Sequence, residues 1–131
     1  MIVIDAGVLA NAIADDGDDG NKARAEIRAA GAIAAPDLVD VETVAVLRKR
    51  WLSGTIAEGR FKSALQDLRD LDFDRYPALP FMNRAFELRT NVTPYDATYV
   101  ALSEVLGWEL LTTDARLAKA PGLRCPVRVL R

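Results

Sequence analysis

Short apolar segments that alternate with helical segments constrain the fold of this 131-residue chain more than any other feature. Four such apolar segments cover residues 2–4, 32–35, 108–112 and 127–130. The first, Ile2-Val3-Ile4, is directly followed by Asp5. Helical patterns cover residues 7–14, 22–30, 37–52, 56–71, 81–89, 93–106 and 114–119, while residues 73–80 form a proline-containing connection. Apolar strands alternating with helices are typical of a parallel sheet covered on both faces. We therefore predict one α/β domain over residues 1–131, a three-layer sandwich around four to five parallel strands.

Capping residues place the ends of two predicted helices. Asn21 is expected to cap the helix at residues 22–30, and Gly31 to end it. Thr93 is expected to cap the helix that follows, with Pro94 in its first position, where no amide hydrogen is needed. Gly107 is expected to end that helix.

Residue types that the chain lacks exclude several classes of chemistry. The sequence contains no histidine and one cysteine, Cys125. The absence of histidine excludes a Ser-His-Asp triad and histidine-based acid–base catalysis. A single cysteine excludes an internal disulfide and favours a reducing cytoplasm. No apolar run reaches the roughly 20 residues of a membrane helix, and the net charge of −2 does not indicate a simple electrostatic nucleic-acid binder.

Four carboxylates occupy positions at which they can meet. Asp5 ends the first predicted strand, Asp114 follows the third by two residues, and Glu42 lies early in the helix after the second. Because ligands of parallel α/β sheets bind beyond the carboxyl ends of the strands, these side chains should converge there. Simpler interpretations remain for each: Asp5 and Asp114 could be helix caps, and Asp96 could complete a capping box. Glu42 lies among apolar residues at helical spacing and could pair with an arginine.

Clustered carboxylates favour a divalent cation. Neighbouring carboxylates raise one another's pKa unless a positive charge lies between them. A hard ion with oxygen ligands, such as Mg²⁺ or Mn²⁺, matches this donor set. A bound metal can supply hydrolytic chemistry without histidine, because it activates water and stabilises charge on a phosphoryl oxygen.

Four segments resemble, in order, the four motifs of PIN-domain ribonucleases. They are IVIDA at residues 2–6, DVE at 40–42 followed by VLR at 46–48, YDATYVALS at 95–103, and LLTTDARL at 110–117. Their order and spacing resemble the toxin half of VapBC toxin–antitoxin pairs over nearly the whole chain. The resemblance implies a PIN-like fold and an Mg²⁺- or Mn²⁺-dependent endoribonuclease. It also implies an RNA substrate and a small VapB-like antitoxin partner. A homodimer through a helical face is expected separately, because small intracellular α/β domains often form one.

The resemblance assigns roles to individual residues and shows two departures. It implies catalytic metal-binding carboxylates at Asp5, Glu42, Asp96 and Asp114, and a cofactor-binding role for Thr112, whose hydroxyl would orient a carboxylate or a water. The family usually has a small hydroxyl or amide residue two positions after the first aspartate, where this chain has Gly7. Some members have another acid shortly after the fourth motif, where this chain has Arg116.

Two other classes of function remain open from the sequence. A catalytically degenerate PIN domain would bind RNA or a partner without cleavage, and Gly7 is its only support. A receiver-type signalling module would need an acidic pair after the first strand and a lysine late in the sheet. Asp5 stands alone there, and the last strand offers only Arg128. The aromatic side chains of Trp51, Tyr95 and Tyr99 could stack on RNA bases, although aromatics at helical spacing are more often core or dimer contacts.

Overall fold

The computed structural model describes residues 1–131 and contains one five-stranded sheet with seven α-helices. In chain order the elements are β1 (Ile2–Ile4), α1 (Ala6–Ala14), α2 (Asp18–Ala30), β2 (Ile33–Pro36), α3 (Val39–Leu52), α4 (Glu58–Asp70), β3 (Asp74–Tyr76), α5 (Met82–Glu87), α6 (Pro94–Leu106), β4 (Glu109–Thr112), α7 (Ala115–Ala118) and β5 (Val127–Val129). All neighbouring strands are parallel. The α/β class and the parallel sheet are therefore confirmed.

The order of the strands determines where the sheet can hold a ligand. The spatial order is β3-β2-β1-β4-β5, so the chain runs outward from β1 to β3 and then returns to the other side of β1. Because such crossovers are right-handed, the two directions place helices on opposite faces. In agreement, α1 packs with α2, α3 and α4, whereas α6 packs with α5. The order reverses between β1 and β4, and a crevice for ligands lies beyond the carboxyl ends of these strands.

The central pair of strands forms the middle of the hydrophobic core. Val3 lies opposite Leu110 and Ile4 opposite Leu111, and all four side chains are fully buried. Strands covered on both faces need apolar residues at every position, which explains the continuous apolar runs in the sequence. Removing a buried leucine side chain typically costs about 2–5 kcal/mol. This packing therefore fixes the register of the two segments that end in Asp5 and Asp114.

The predicted connection at residues 73–80 was wrong in part, because it contains the edge strand β3 (Asp74–Tyr76), paired in parallel with β2. Asp74 and Arg75 are exposed, so the strand lacks the apolar run that marked the other four. Arg75 is held by Asp40 of α3, with Nε 2.7 Å from Oδ2, and its guanidinium lies 4.0 Å above the Phe73 ring. Polar edge strands are common, since edges are protected from further pairing by charge.

The predicted start of the second helix was also wrong. The helix begins at Asp18, and Asn21 lies inside it, where its side chain accepts a hydrogen bond from Arg24. Asp15 serves this end of the helix instead, because its Oδ1 accepts from the amides of Gly17 (2.8 Å) and Gly20 (3.1 Å).

The other predicted helix ends are largely confirmed. Thr93 caps α6, Pro94 is its first residue, and Gly107 ends it in the left-handed conformation with φ of 69°. Gly31 ends α2 with φ of 76°. The helix expected from residue 56 begins two residues later, at Glu58. Among all these helices, none combines the length and apolar character needed to cross a membrane.

Candidate active site

Asp5 lies at the carboxyl end of β1 and is fixed on both carboxylate oxygens. Its Oδ1 accepts a hydrogen bond from the Val8 amide (3.0 Å), so Asp5 does cap α1. Its Oδ2 accepts from the hydroxyl of the fully buried Thr112 at the end of β4. The Thr112 hydroxyl in turn accepts from the Asp114 amide (3.0 Å). Thr112 therefore links the two acids that follow the two central strands.

Glu42 is held by a tyrosine and not by an arginine. Glu42 lies in the first turn of α3, is partly buried, and forms no ion pair. Its Oε1 accepts a hydrogen bond from the Tyr99 hydroxyl (2.8 Å), and Tyr99 is only 2% exposed. The alternative of an arginine partner is thus wrong. Tyr99 lies three residues after Asp96, which places both on one side of α6, and this spacing is the only sequence signal of its role.

The remaining two acids lie at the beginning of helices. Thr93 caps α6 by accepting from the Asp96 amide (3.2 Å), so the cap itself does not require the Asp96 carboxylate. Asp114 caps the short helix α7 by accepting from the Arg116 amide (2.9 Å), and the Arg116 Nε lies 3.5 Å from the same oxygen. The Arg116 side chain is 94% exposed. Its guanidinium is therefore a weakly held cation beside the carboxylates.

The electrostatics show that the four carboxylates, called the acidic site below, influence one another. Burial raises the pKa of Asp5, and the charge of Asp96 adds to this, against the Thr112 hydrogen bond. Burial raises the pKa of Glu42, the Tyr99 hydrogen bond lowers it, and Asp96 and Asp5 raise it further. Burial and then the charge of Asp114 raise the pKa of Asp96, partly offset by Arg116. Four segments of the chain thus contribute to one field of negative charge.

An open cavity of about 510 Å³ adjoins the acidic site. Asp96 and Asp114 form part of its wall, and Arg89 and Arg116 contribute positive charge to the same wall. The Arg89 guanidinium lies 4.0 Å above the Phe86 ring and donates to the Phe86 carbonyl (2.9 Å). The cavity therefore combines acidic and basic groups, as a site for a phosphate ester and a cation requires.

Comparison with known proteins identifies the family. The PIN-domain model matches residues 2–123, a segment that contains the whole acidic site. Ribonuclease VapC1 of Mycobacterium tuberculosis is 40% identical over 130 residues, which cover 98% of this chain and 97% of that protein. The chain is a PIN-domain protein of the VapC family. The resemblance read from the four sequence motifs is confirmed.

Solved structures share the fold of this PIN domain at lower identity. PAE2754 from Pyrobaculum aerophilum superposes with a TM-score of 0.69 at 22% identity, covering 96% of this chain and 81% of that one. VapC20 of M. tuberculosis, described as a toxin that cleaves the sarcin-ricin loop, gives a TM-score of 0.67 at 16% identity, with 91% and 94% covered. At these identities the likeness concerns the fold.

The PIN domain offers a donor set suited to a hard divalent cation. All four side chains of the acidic site supply carboxylate oxygens, and the only cation whose charge lowers a pKa among Asp5, Glu42 and Asp96 is Arg116. No three acidic side chains are close enough in this arrangement to hold one ion together. The donor chemistry and the uncompensated charge therefore fit Mg²⁺ or Mn²⁺, while binding would require the carboxylates to turn toward a common point.

The raised pKa values predict how the stability of the metal-free PIN domain depends on pH. Asp5, Glu42 and Asp96 keep their protons to higher pH in the folded than in the unfolded chain. The folded state binds more protons, so the free energy of unfolding falls as pH rises through these raised values. The paired Glu26 and Glu104 have lowered pKa values, so their contribution is lost only at pH below about 4.5.

We therefore expect the metal-free melting temperature to be higher near pH 5 than near pH 8. The chain has no histidine to titrate between these values. Asp96→Asn should flatten the dependence, and saturating Mn²⁺ should reverse it, because a cation favours deprotonated carboxylates. Differential scanning calorimetry at several pH values measures this. A melting temperature that rises from pH 5 to pH 8 without metal would contradict the electrostatic account.

Proposed function

We propose that this chain is an Mg²⁺- or Mn²⁺-dependent endoribonuclease and the toxin of a toxin–antitoxin pair. The observation that carries the proposal is that Asp5, Glu42, Asp96 and Asp114 lie near enough to one another, at the crevice where the strand order reverses, for their charges to raise pKa values within the group. The names of the relatives support the substrate class, since ribonuclease VapC1 covers nearly the full length. Metal dependence is supported by the donor set alone.

The chain's own residues would prepare the site in two ways. A bound divalent ion supplies an activated water and stabilises charge on the phosphoryl group. Thr112 and the Val8 amide fix both oxygens of Asp5. Tyr99 occupies Oε1 of Glu42 and leaves Oε2 free of protein hydrogen bonds. These contacts orient Asp5 and Glu42, and hydrogen-bond partners that orient ligand side chains increase metal affinity.

The adjoining cavity supports a path for the RNA backbone. Arg89 and Arg116 share the cavity wall with Asp96 and Asp114. Arginine binds phosphate oxygens through charge-assisted hydrogen bonds, often in pairs. We assign the phosphates that flank the scissile bond to these two arginines. Because Arg116 also contacts Asp114, its guanidinium could move between the carboxylate and a phosphate as RNA binds.

The test is RNA cleavage by the purified chain with Mg²⁺ or Mn²⁺, and with EDTA as the matched metal-free control. Total cellular RNA is the substrate, and sequencing of newly formed 5′ ends identifies the cleaved positions. We expect discrete cleavage only with metal. A chain that binds Mn²⁺, as shown by a rise in melting temperature, and cuts no RNA would instead favour a PIN domain that binds without cleavage.

A partner that neutralises the acidic site is part of the proposal. We propose a small antitoxin that places an arginine or lysine among the four carboxylates and so competes with the metal. Both proteins would act in the cytoplasm. The apolar contacts of such a segment would fill the groove of about 250 Å³ lined by Trp51 of α3 and by Phe61 and Leu65 of α4. Equal antitoxin affinity with and without saturating Mg²⁺ would exclude this mode of inhibition.

A homodimer is also proposed, through the side of the domain formed by α5 and α6. Met82 and Phe86 lie four residues apart on α5, and Phe86 is 64% exposed. Val105 on the neighbouring α6 is 72% exposed. Apolar side chains grouped in this way favour association between subunits. Sedimentation of Phe86→Glu beside the wild type tests the assignment, and an unchanged dimer would contradict it.

A further inference from the structure

A threonine side chain fills the space that glycine leaves open beside Asp5. Gly7 lies in the first turn of α1, two residues after Asp5. A methyl group at position 7 would overlap the hydroxyl oxygen of Thr113 and would lie 3.5 Å from Oδ1 of Asp5. The Thr113 hydroxyl and the Asp5 carboxylate therefore border the same small space, on the side of Asp5 away from the oxygen bonded to Thr112.

Thr113 has the properties of a group available to the site. Its backbone amide faces Asp5 and lowers the pKa of that carboxyl. Thr113 is exposed to solvent, whereas the neighbouring Thr112 is buried. The side-chain hydrogen bonds of this segment involve Thr112 and Asp114, and the Thr113 hydroxyl has no protein partner. Asp5 consequently lies between two threonine side chains, of which only Thr112 donates a hydrogen bond to its carboxylate.

We propose that Thr113 is a positioning residue for Asp5 and that Gly7 and Thr113 act as a pair. The glycine leaves room for the Thr113 hydroxyl, which supplies the second side-chain donor to the Asp5 carboxylate when the site holds a divalent ion. This inference rests on the metal site of the proposed function. Residue 7 is a glycine and has no side chain that could make a polar contact with Asp5. The proposal assigns this contact to Thr113 instead.

The steric part is tested in the metal-free protein by a double-mutant cycle. Gly7→Ala should lower the melting temperature or turn the Thr113 side chain away, because the new methyl group takes the place of the hydroxyl oxygen. The same change in a Thr113→Ala background should have a smaller effect, since alanine has no hydroxyl to displace. Additive effects of the two substitutions would show that the side chains do not compete for one space.

The positioning part is tested by Mn²⁺ affinity, measured from the metal-dependent melting temperature and by calorimetric titration. Thr113→Val keeps the shape and removes the hydroxyl, whereas Thr113→Ser keeps the hydroxyl. We expect Thr113→Val to weaken Mn²⁺ binding about 10-fold, the lower end of the effect of losing a group that orients a ligand, and Thr113→Ser to bind within about twofold of wild type. Gly7→Ala should resemble Thr113→Val. Thr55→Val, in an exposed turn, is the matched control.

The outcomes separate this inference from the proposed function. Equal Mn²⁺ affinity of the valine and serine variants, in a protein that binds Mn²⁺, overturns the positioning role alone. The expected affinity pattern in a protein that cuts no RNA overturns the nuclease proposal alone. A wild type with no Mn²⁺ response overturns the metal site and this inference together. The variant Gly7→Ser with Thr113→Ala, which moves the hydroxyl to the other side of the space, should regain affinity relative to Thr113→Ala.

Discussion

Asp96→Asn is expected to lower RNA cleavage by about 10³-fold, which corresponds to the several kcal/mol of charge stabilisation that a catalytic metal supplies. Asparagine keeps the size and one oxygen but loses the negative charge. The fold should remain intact, because the Thr93 cap uses the amide of residue 96 and not its carboxylate. Initial rates on a cleaved RNA oligonucleotide, with circular dichroism for the fold, measure the effect.

The matched control is Asp67→Asn, which removes the same charge from an exposed position in α4. It should leave the cleavage rate within about twofold, because exposed charges away from the site are screened by solvent. A folded Asp96→Asn variant that retains more than a tenth of the activity would place the reaction elsewhere. An equal loss in both variants would show that the defect is not specific to the acidic site.

Tyr99→Phe is expected to lower cleavage by about 10–100-fold, the usual effect of removing a group that orients a metal ligand. Phenylalanine fills the same buried volume but leaves Oε1 of Glu42 without its donor. The Tyr99 hydrogen bond lowers the pKa of Glu42, so its loss should raise that pKa further. A protonated Glu42 is a poor ligand for a cation. The loss of cleavage rate in Tyr99→Phe should therefore be larger at pH 6 than at pH 8.

The control for this prediction lies on the same helix. Tyr95→Phe removes a hydroxyl from a residue that is 63% exposed and should not change the pH profile of the rate. If Tyr99→Phe lowers the rate by the same factor at every pH, the Tyr99 hydroxyl acts by orienting Glu42 and not by lowering its pKa. If it leaves the rate unchanged, Glu42 does not depend on this hydrogen bond for its position.

The elements at the centre of the fold could be predicted because each carries its own local signal. The run Ile2-Val3-Ile4 marks a strand covered on both faces, and Thr93 with Pro94 marks the beginning of α6. The positions of Asp5 and Asp114 followed from these elements, since a parallel sheet brings the ends of its strands together. The structure agrees with the sequence where local preference and burial indicate the same state.

The features that the sequence analysis missed depend on partners distant in the chain. The partner of Glu42 is Tyr99, 57 residues away, and no local pattern separates an arginine partner from a tyrosine. The edge strand β3 is stabilised by pairing with β2 and by the Arg75–Asp40 ion pair, neither of which leaves an apolar run. The Thr113 side chain lies next to Gly7 only because β4 packs beside α1, and no local sequence pattern indicates this contact.

The hydrogen bond between Thr112 and Asp5 joins residues 107 positions apart, which has a consequence for when the protein becomes active. Chains are synthesised from the amino end at about 5–20 residues per second, so roughly 5–20 s separate the two residues on the ribosome. Until β4 emerges, β1 lacks its central neighbour and Asp5 lacks the hydroxyl that orients it. A nascent or truncated chain should therefore be harmless to the RNA around it, and cleavage should begin only after synthesis is nearly complete.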